Sequence, residues 1–177
     1  LVAAAPTETV RHILPDQSVV SLNAVSQLTY DEQNWQQQRS LELKGEAFFE
    51  VQKGEKFQVY TSLGTIEVLG TSFNVEERNG QLTVHCYTGS VRVSVNNGES
   101  VVLQPNEAAS WAGKKLQKFS ATNELDIAWQ QQLHHFDNIP LADVFAELER
   151  QFDISVSYPA TLADRIYTGF FRSGDLG

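Results

Sequence analysis

The single cysteine and the four histidines are the side chains in this sequence best suited to nucleophilic or metal chemistry. Cys86 directly follows His85, and a thiol beside an imidazole can act as a nucleophile. Both residues fall in a run of alternating apolar and polar residues, and consecutive side chains of a strand point to opposite faces. We therefore expect Cys86 to be a small buried apolar residue that shares a face with Leu82 and Val84.

A second candidate for chemistry is the pair His134-His135, which could bind a metal ion. No third ligand stands at a suitable spacing, and adjacent residues rarely converge on one ion. With one cysteine, neither an intramolecular disulfide nor a thiolate metal cluster can form. We predict no metal and no cofactor.

Motifs of catalysis are missing from the sequence: it has no Gly-x-Ser-x-Gly elbow, no phosphate loop and no dinucleotide fingerprint. The carboxylate pairs Glu46/Glu50 and Glu76/Glu77 fit solvated outer faces of strands better than an acid-base pair. We therefore predict that the protein is not an enzyme.

Three tryptophans leave a binding function open. Trp35, Trp111 and Trp129 could stack on sugars, as in a carbohydrate-binding sandwich. We favour the alternative, in which Trp129 anchors a linker helix and the other two cap the ends of a sandwich. A sugar site requires at least two coplanar exposed aromatic rings in one groove, whereas a protein-interaction module buries its tryptophans.

The elements that position these residues are mainly β. Between Ser18 and about Trp111 apolar residues recur at every second position, which is typical of half-buried strands. Asn79-Gly80 and Asn96-Asn97-Gly98 supply the positive φ values of tight hairpins. Eight or nine short strands at this spacing predict a β-sandwich, jelly roll or barrel.

After Pro105 the pattern changes, and a small α+β domain is predicted. Residues 121–133 fit a linker helix, and Asn138-Ile139-Pro140 opens a second helix. That helix carries apolar residues on one face, at 141, 144, 145, 148 and 152. Residues 154–158 and 165–171 each fit a strand, so we predict a small, truncated β-α-β unit.

The net charge and the start of the sequence limit the classes of partner and the kind of protein that we expect. Asp and Glu total 22 against 13 Lys and Arg, giving a net charge of −9, so nucleic-acid binding is not expected. The sequence has no Met, even at its start, so we expect that it follows a removed leader or domain. No run of about 18 apolar residues occurs, and we expect the chain as given to be soluble.

Several segments together resemble the FecR-like family of transmembrane anti-sigma regulators, in its Bacteroidetes-type form with a small C-terminal domain. The resemblance begins at residues 14–30, although the family usually has Asp-Gly-Ser where this chain has Asp16-Gln17-Ser18, so we expect a different backbone there. It continues through Gly-Glu-Ala-Phe-Phe-Glu-Val at 45–51 and Val-Leu-Gly-Thr-Ser-Phe-Asn-Val at 68–75. Gly-Ser-Val-Arg-Val at 89–93 and Phe-Asp-Asn-Ile-Pro-Leu at 136–141 complete it.

This resemblance implies the periplasmic domain of a single-pass inner-membrane protein. Residues 1–13 would follow the membrane helix, 14–120 would form the FecR-like all-β domain, and 121–133 the linker helix. Residues 134–177 would form part of a domain that resembles the short N-terminal domain of secretins and TonB-dependent transducers. The implied partners are the signalling domain of such an outer-membrane transducer and, through a cytoplasmic domain absent here, an extracytoplasmic-function sigma factor.

An exposed sheet edge in the small domain could pair with a strand of the transducer. We predict that this contact involves Ile154, Val156, Tyr158, Tyr167 and Phe170. The alternative for each is that its side chain packs under the preceding helix. A carbohydrate-binding sandwich of a glycan-uptake system remains the alternative function.

Overall fold

The computed structural model describes residues 1–121 and 124–173, most of them in β-strands. The first thirteen strands are β1 Val2–Ala4, β2 Val10–Ile13, β3 Val19–Leu22, β4 Ser26–Tyr30, β5 Arg39–Glu50, β6 Phe57–Tyr60, β7 Gly64–Val68, β8 Ser72–Arg78, β9 Gln81–Cys86, β10 Val91–Val95, β11 Ser100–Leu103, β12 Glu107–Trp111 and β13 Gln117–Ser120. A 3-10 helix, Glu124–Gln131, precedes β14 Leu133–Pro140, helix α1 Leu141–Phe152, a second 3-10 helix Ala160–Leu162 and β15 Ile166–Arg172. We call β1–β13 the sandwich, and β14, α1 and β15 the C-terminal unit.

The twelve-residue strand β5 joins the two layers of the sandwich. One end pairs with β4 and, in parallel, with β6, whereas the other end pairs with β3 and β8. The strand changes layer at Gly45, whose φ is +94° and where a Cβ would lie 2.5 Å from Ser26 Oγ. A residue without a side chain is therefore required at the crossing point.

The core lies between the two layers. It is built from the apolar residues that recur at every second position of the strands. Phe49 stacks on Phe73 with ring centroids 4.9 Å apart, and Trp35 packs edge-on against Phe57 at 5.8 Å. Cys86 belongs to the same buried cluster, as predicted. The predicted sandwich is thus confirmed, because a period of two places one face of each strand in a shared core.

Two turns, at Asn79-Gly80 and at Asp16-Gln17-Ser18, can be compared with what the sequence predicts for them. Asn79 and Gly80 join β8 to β9 with φ values of 52° and 74°, the two positive values that an Asn-Gly hairpin predicts. Gln17 adopts a φ of 67°, while Asp16 Oδ1 accepts a hydrogen bond from the Ser18 amide at 3.0 Å. Gln17 thus lies in the left-handed region, which glycine adopts without strain, at the position where the resembling family usually has glycine.

The C-terminal unit is β-α-β. The strand predicted at 165–171 is confirmed as β15, but the strand predicted at 154–158 is wrong. Residues 154–158 are unpaired, because the Val156 amide donates to Glu149 Oε1 at 2.8 Å and the Tyr158 ring packs on Phe145 at 4.4 Å. The first strand is instead β14, which pairs antiparallel with β15. The predicted linker helix is a 3-10 helix, and its expected start at Thr122 and Asn123 lies outside the described residues.

No helix in the described part of the chain is both long and apolar enough to cross a membrane.

Candidate functional site between the sandwich and the C-terminal unit

A cleft of about 410 Å³ lies between the outer face of the sandwich and the C-terminal unit. Its floor is formed by outward-facing residues of β5, β8, β9 and β12, which include Glu46, Asn74, Glu76, Thr83 and Ser110. Its roof is formed by β14 and α1, which contribute His134, His135, Asp143, Glu147 and Arg150. The cleft therefore has carboxylates on both sides, with the guanidinium of Arg78 on the floor and that of Arg150 on the roof.

Glu46 is the most deeply buried carboxylate of the floor, with 7% of its surface exposed. Its Oε2 accepts a hydrogen bond from Asn23 Nδ2 at 2.7 Å, and its Oε1 accepts one from Asn74 Nδ2 at 2.9 Å. The prediction that this residue is solvated on an outer face is wrong. Glu46 does point outward from the sandwich, but the C-terminal unit covers it.

Glu147 is the buried carboxylate of the roof, on α1, and four side-chain nitrogen atoms surround it. Its carboxylate accepts hydrogen bonds from Arg150 Nη2 at 2.6 Å and from Gln151 Nε2 at 2.8 Å, and His134 Nδ1 lies 3.4 Å away. Arg150 Nε adds a further bond at 2.9 Å. Gln151 Nε2 also donates to Asn23 Oδ1 at 2.9 Å, so one amide links the helix to the sandwich.

The two carboxyl groups differ in their affinity for protons. Burial, with the charges of Glu76 and Glu147 nearby, raises the pKa of Glu46 to about 7. Burial acts in the same direction on Glu147, but the His134 hydrogen bond and the Arg150 charge outweigh it and lower that pKa to about 2. Burial also raises the pKa of Glu76.

Stability is expected to depend on pH through Glu46. A carboxyl whose pKa rises from 4.5 to about 7 on folding binds its proton more tightly when folded, so folding is weakened as pH rises through that interval. Relative to Glu46→Gln, the wild-type free energy of unfolding should fall by about 1–3 kcal/mol between pH 5 and pH 8. Urea denaturation across this range measures the difference.

Glu42→Gln, an exposed position on the same strand, is the matched control, and its stability should run parallel to that of the wild type. If the curve for Glu46→Gln also stays parallel to the wild type, Glu46 does not titrate in this interval.

The five residues predicted to contact a partner occupy two different environments. Phe170 and Tyr167 lie on β15 with 68% and 38% of their surfaces exposed, and Ile154 is 46% exposed. Val156 and Tyr158 are half-buried, as the alternative predicted, because they are held by Glu149 and Phe145. Only Tyr167 and Phe170 are brought together on one strand.

Of the residues first considered for chemistry, Cys86 and His134 are buried, whereas His85 and His135 are half-buried and line the cleft. Burial, assisted by the charge of Glu107, raises the pKa of the Cys86 thiol to about 11, so it is protonated at neutral pH. His134 stacks on Phe171 with centroids 4.6 Å apart. Within residues 1–121 and 124–173, no group of three or more His, Cys, Asp or Glu side chains is arranged to hold a metal ion.

The tryptophans do not form the exposed platform that a sugar site requires. Trp35, Trp111 and Trp129 have 1%, 9% and 4% of their surfaces exposed. Trp35 lies in the sandwich core, where it contacts Tyr30 and Phe57. The burial expected of an interaction module is therefore observed.

Sequence reasoning missed the polar contact between the two units. Helix α1 buries Val144, Glu147 and Gln151, which follow one another at intervals of three and four residues. This stripe is a second buried face beside the apolar one, and a helix with two buried faces must contact two neighbours. The spacing was visible in the sequence, but its polar residues were indistinguishable from a solvated face.

Comparisons with known proteins give related sequences and structures. Residues 1–92 match the family described as FecR protein, and residues 134–176 match the family described as FecR, C-terminal. A crystal structure at 1.65 Å of a proposed anti-sigma factor from Parabacteroides distasonis ATCC 8503 superposes with a TM-score of 0.90 and 29% identity, over 99% of this chain and 85% of that chain. A second structure of a proposed anti-sigma factor from the same organism, at 2.50 Å, gives a TM-score of 0.89 and 28% identity, over 97% and 84%. No curated protein matches the sequence.

Proposed function

Because the chain belongs to the FecR family, we propose that it is the periplasmic sensor part of an anti-sigma factor. It receives its signal by contact with the N-terminal signalling domain of a TonB-dependent outer-membrane transducer. The signal passes across the inner membrane, through a helix outside the residues that the structure describes, to a cytoplasmic domain that controls an extracytoplasmic-function sigma factor. The sensor acts by binding and not by catalysis.

The observation that carries this proposal is the exposed apolar surface of β15. Ile166 and Phe170 expose 56% and 68% of their surfaces, and they lie four residues apart, on one face of the strand. In the described part of the chain β15 pairs only with β14, which leaves its other edge available to a strand of the transducer. Backbone pairing along that edge, with Phe170 as an apolar anchor, is a recurring mode of peptide recognition.

The other predicted contact residues have smaller roles in this proposal. Tyr167 lies over Gly169 and packs against Phe136 at 6.2 Å, so it supports the strand from the α1 side. Ile154 offers an exposed side chain but no strand, and Val156 and Tyr158 stay within the unit. The carbohydrate-binding alternative loses its basis, because the tryptophans on which it rested are buried.

Titration calorimetry with the signalling domain of a candidate transducer tests the proposal. We expect binding with a dissociation constant of about 1 μM, or roughly −8 kcal/mol. Phe170→Asp should weaken this binding about 10–100-fold, because it places a charge in the apolar centre of the contact. The matched control is Val102→Asp on β11, since Val102 is also exposed, at 43%, but lies on the sandwich and does not line the cleft.

Equal affinity of Phe170→Asp and the wild type would move the contact away from β15. A complete absence of heat with the transducers encoded beside the gene would count against transducer recognition itself.

A further inference from the structure

Three segments that are distant in sequence meet at the last turn of α1. The Thr7 amide, in the turn after β1, donates a hydrogen bond to the carbonyl of Arg150 at 3.0 Å. The Val25 amide, in the turn between β3 and β4, donates to the carbonyl of Ala5 at 3.4 Å. Gln151 Nε2 reaches Asn23 Oδ1 in the same turn at 2.9 Å. We call this meeting point the junction.

Two residues of the junction have a strained backbone. Thr7 has a φ of 68° and Val25 a φ of 53°, and both are β-branched. The left-handed region is rarely occupied by β-branched residues, because their side chains crowd the neighbouring carbonyl. Such conformations persist only where surrounding contacts impose them, and they concentrate in segments that switch. At Thr7 the imposing contact is the hydrogen bond to α1.

The interface between the sandwich and the C-terminal unit, which holds the Thr7 to Arg150 hydrogen bond in place, is weakly stabilised. Within the described residues, Asn74 Oδ1, Arg78 Nε and His134 Nε2 are buried at or beside the interface without a hydrogen-bond partner. Buried polar groups without partners favour the open state, where water can pair with them. The cleft between the units also leaves part of the interface unpacked. The C-terminal unit should therefore undock at a lower free-energy cost than unfolding of the sandwich, whose core is apolar.

The junction is connected to the first strand of the chain. Strand β1 holds to the sandwich through three residue pairs with β4, from Val2 with Leu28 to Ala4 with Ser26. Ser26 directly follows the strained Val25, so a change in this turn alters the strand on which β1 depends. A short edge strand of this kind can detach without unfolding the layer behind it.

We propose that the junction is a two-state element that couples docking of the C-terminal unit to the N-terminal strand β1. When the unit leaves its docked position, the Thr7 to Arg150 hydrogen bond breaks, Thr7 and Val25 relax, and β1 loosens. A contact made on β15 thereby reaches the N-terminal segment without rearrangement of the sandwich core. The inference rests on the proposed function for the identity of the signal, but the coupling is a property of this chain alone.

Hydrogen exchange of the isolated chain, resolved by residue, tests the coupling. Gln151→Leu keeps the size of the side chain and removes both its donors, to Asn23 and to Glu147. We expect the Thr7 and Val25 amides to exchange at least about tenfold faster in this variant, while amides of β5 keep their rates. Gln131→Leu, at an exposed position outside the interface, is the matched control and should change neither.

Coupling between two sites is reciprocal, so a change at Thr7 must reach α1. Thr7→Pro removes the amide donor and imposes a negative φ, and it should speed exchange in the last turn of α1. Thr7→Ala keeps the donor and should leave those rates within about threefold of the wild type. Unchanged exchange at Thr7 and Val25 in Gln151→Leu overturns the coupling, whether or not α1 exchanges faster. That result would leave transducer binding untouched, because calorimetry measures it separately.

Discussion

Replacing Phe49 by alanine is expected to lower the free energy of unfolding of the sandwich by about 3–5 kcal/mol. The Phe49 side chain is fully buried, stacks on Phe73 at 4.9 Å and meets Phe57 edge-on at 6.2 Å. It lies on β5, the strand that both layers share, so the cavity left by its removal opens between them. Guanidinium denaturation followed by fluorescence measures the loss, since Trp35 packs directly on Phe57.

Phe48→Ala is the matched control for this prediction. Phe48 is the neighbouring residue of the same type, but it points to the opposite face, where it is half-buried against Tyr87 at 5.7 Å. Its removal should cost less than half as much as that of Phe49. Similar losses at both positions would contradict the register of β5, because a slip of one residue exchanges the two faces.

The contrast between Phe48 and Phe49 shows why the sandwich could be predicted from sequence. The alternation of apolar and polar residues is a local property, because the residues of each strand alone indicate which of its faces is apolar. The Asn79-Gly80 hairpin was equally local, because the φ values that it requires belong to those two residue types. Gly45 as the crossing point of β5 was not predictable, since its close neighbour, Ser26, lies far along the chain.

The strands of the C-terminal unit were harder to assign because their stability comes from distant partners. In β14, His134 and Phe136 point inward and both stack on Phe171, at 4.6 and 5.6 Å. Asn138-Ile139-Pro140 correctly predicted that a helix begins at Leu141, but the same residues also end β14, which nothing in the sequence indicated. Residues 154–158 alternate like a strand, but the carboxylate of Glu149 binds the amide that a partner strand would need.

The cleft forms only where a surface of the sandwich meets a surface of the C-terminal unit. The hydropathy pattern of the sequence does not indicate which surfaces will meet. Arg39, outside this site, also depends on distant partners: its Nε donates to Asp16 Oδ2 at 2.7 Å and its Nη2 to the Gln52 carbonyl at 2.8 Å. Glu46 and Glu147 each resemble surface residues until the two units are placed together. Burial of a polar face is set by docking, so it becomes visible only in the structure.

Glu147→Ala is expected to destabilise the C-terminal unit by about 3–5 kcal/mol at neutral pH, because it leaves a buried cation without its counter-charge. Arg150 loses both of its side-chain hydrogen bonds to Glu147, and His134 and Gln151 lose an acceptor. Asp143→Ala is the control on the same helix. Asp143 is exposed and accepts a hydrogen bond from Asn79 Nδ2 at 3.1 Å, so its removal should cost less than about 1 kcal/mol. Calorimetric unfolding of both variants gives the comparison.

The effect of pH separates the charge of Glu147 from its packing. Because its pKa falls from 4.5 to about 2 on folding, the stability that its charge provides is present above pH 4.5 and is lost as pH falls towards 2. The difference between Glu147→Ala and the wild type should therefore shrink in acid. The double variant Glu147→Leu with Arg150→Met should recover most of the loss at neutral pH, since an apolar pair of similar volume leaves no buried charge unpaired. If the double variant is as unstable as Glu147→Ala, the loss comes from the hydrogen bonds to His134 and Gln151, and the ion pair contributes little.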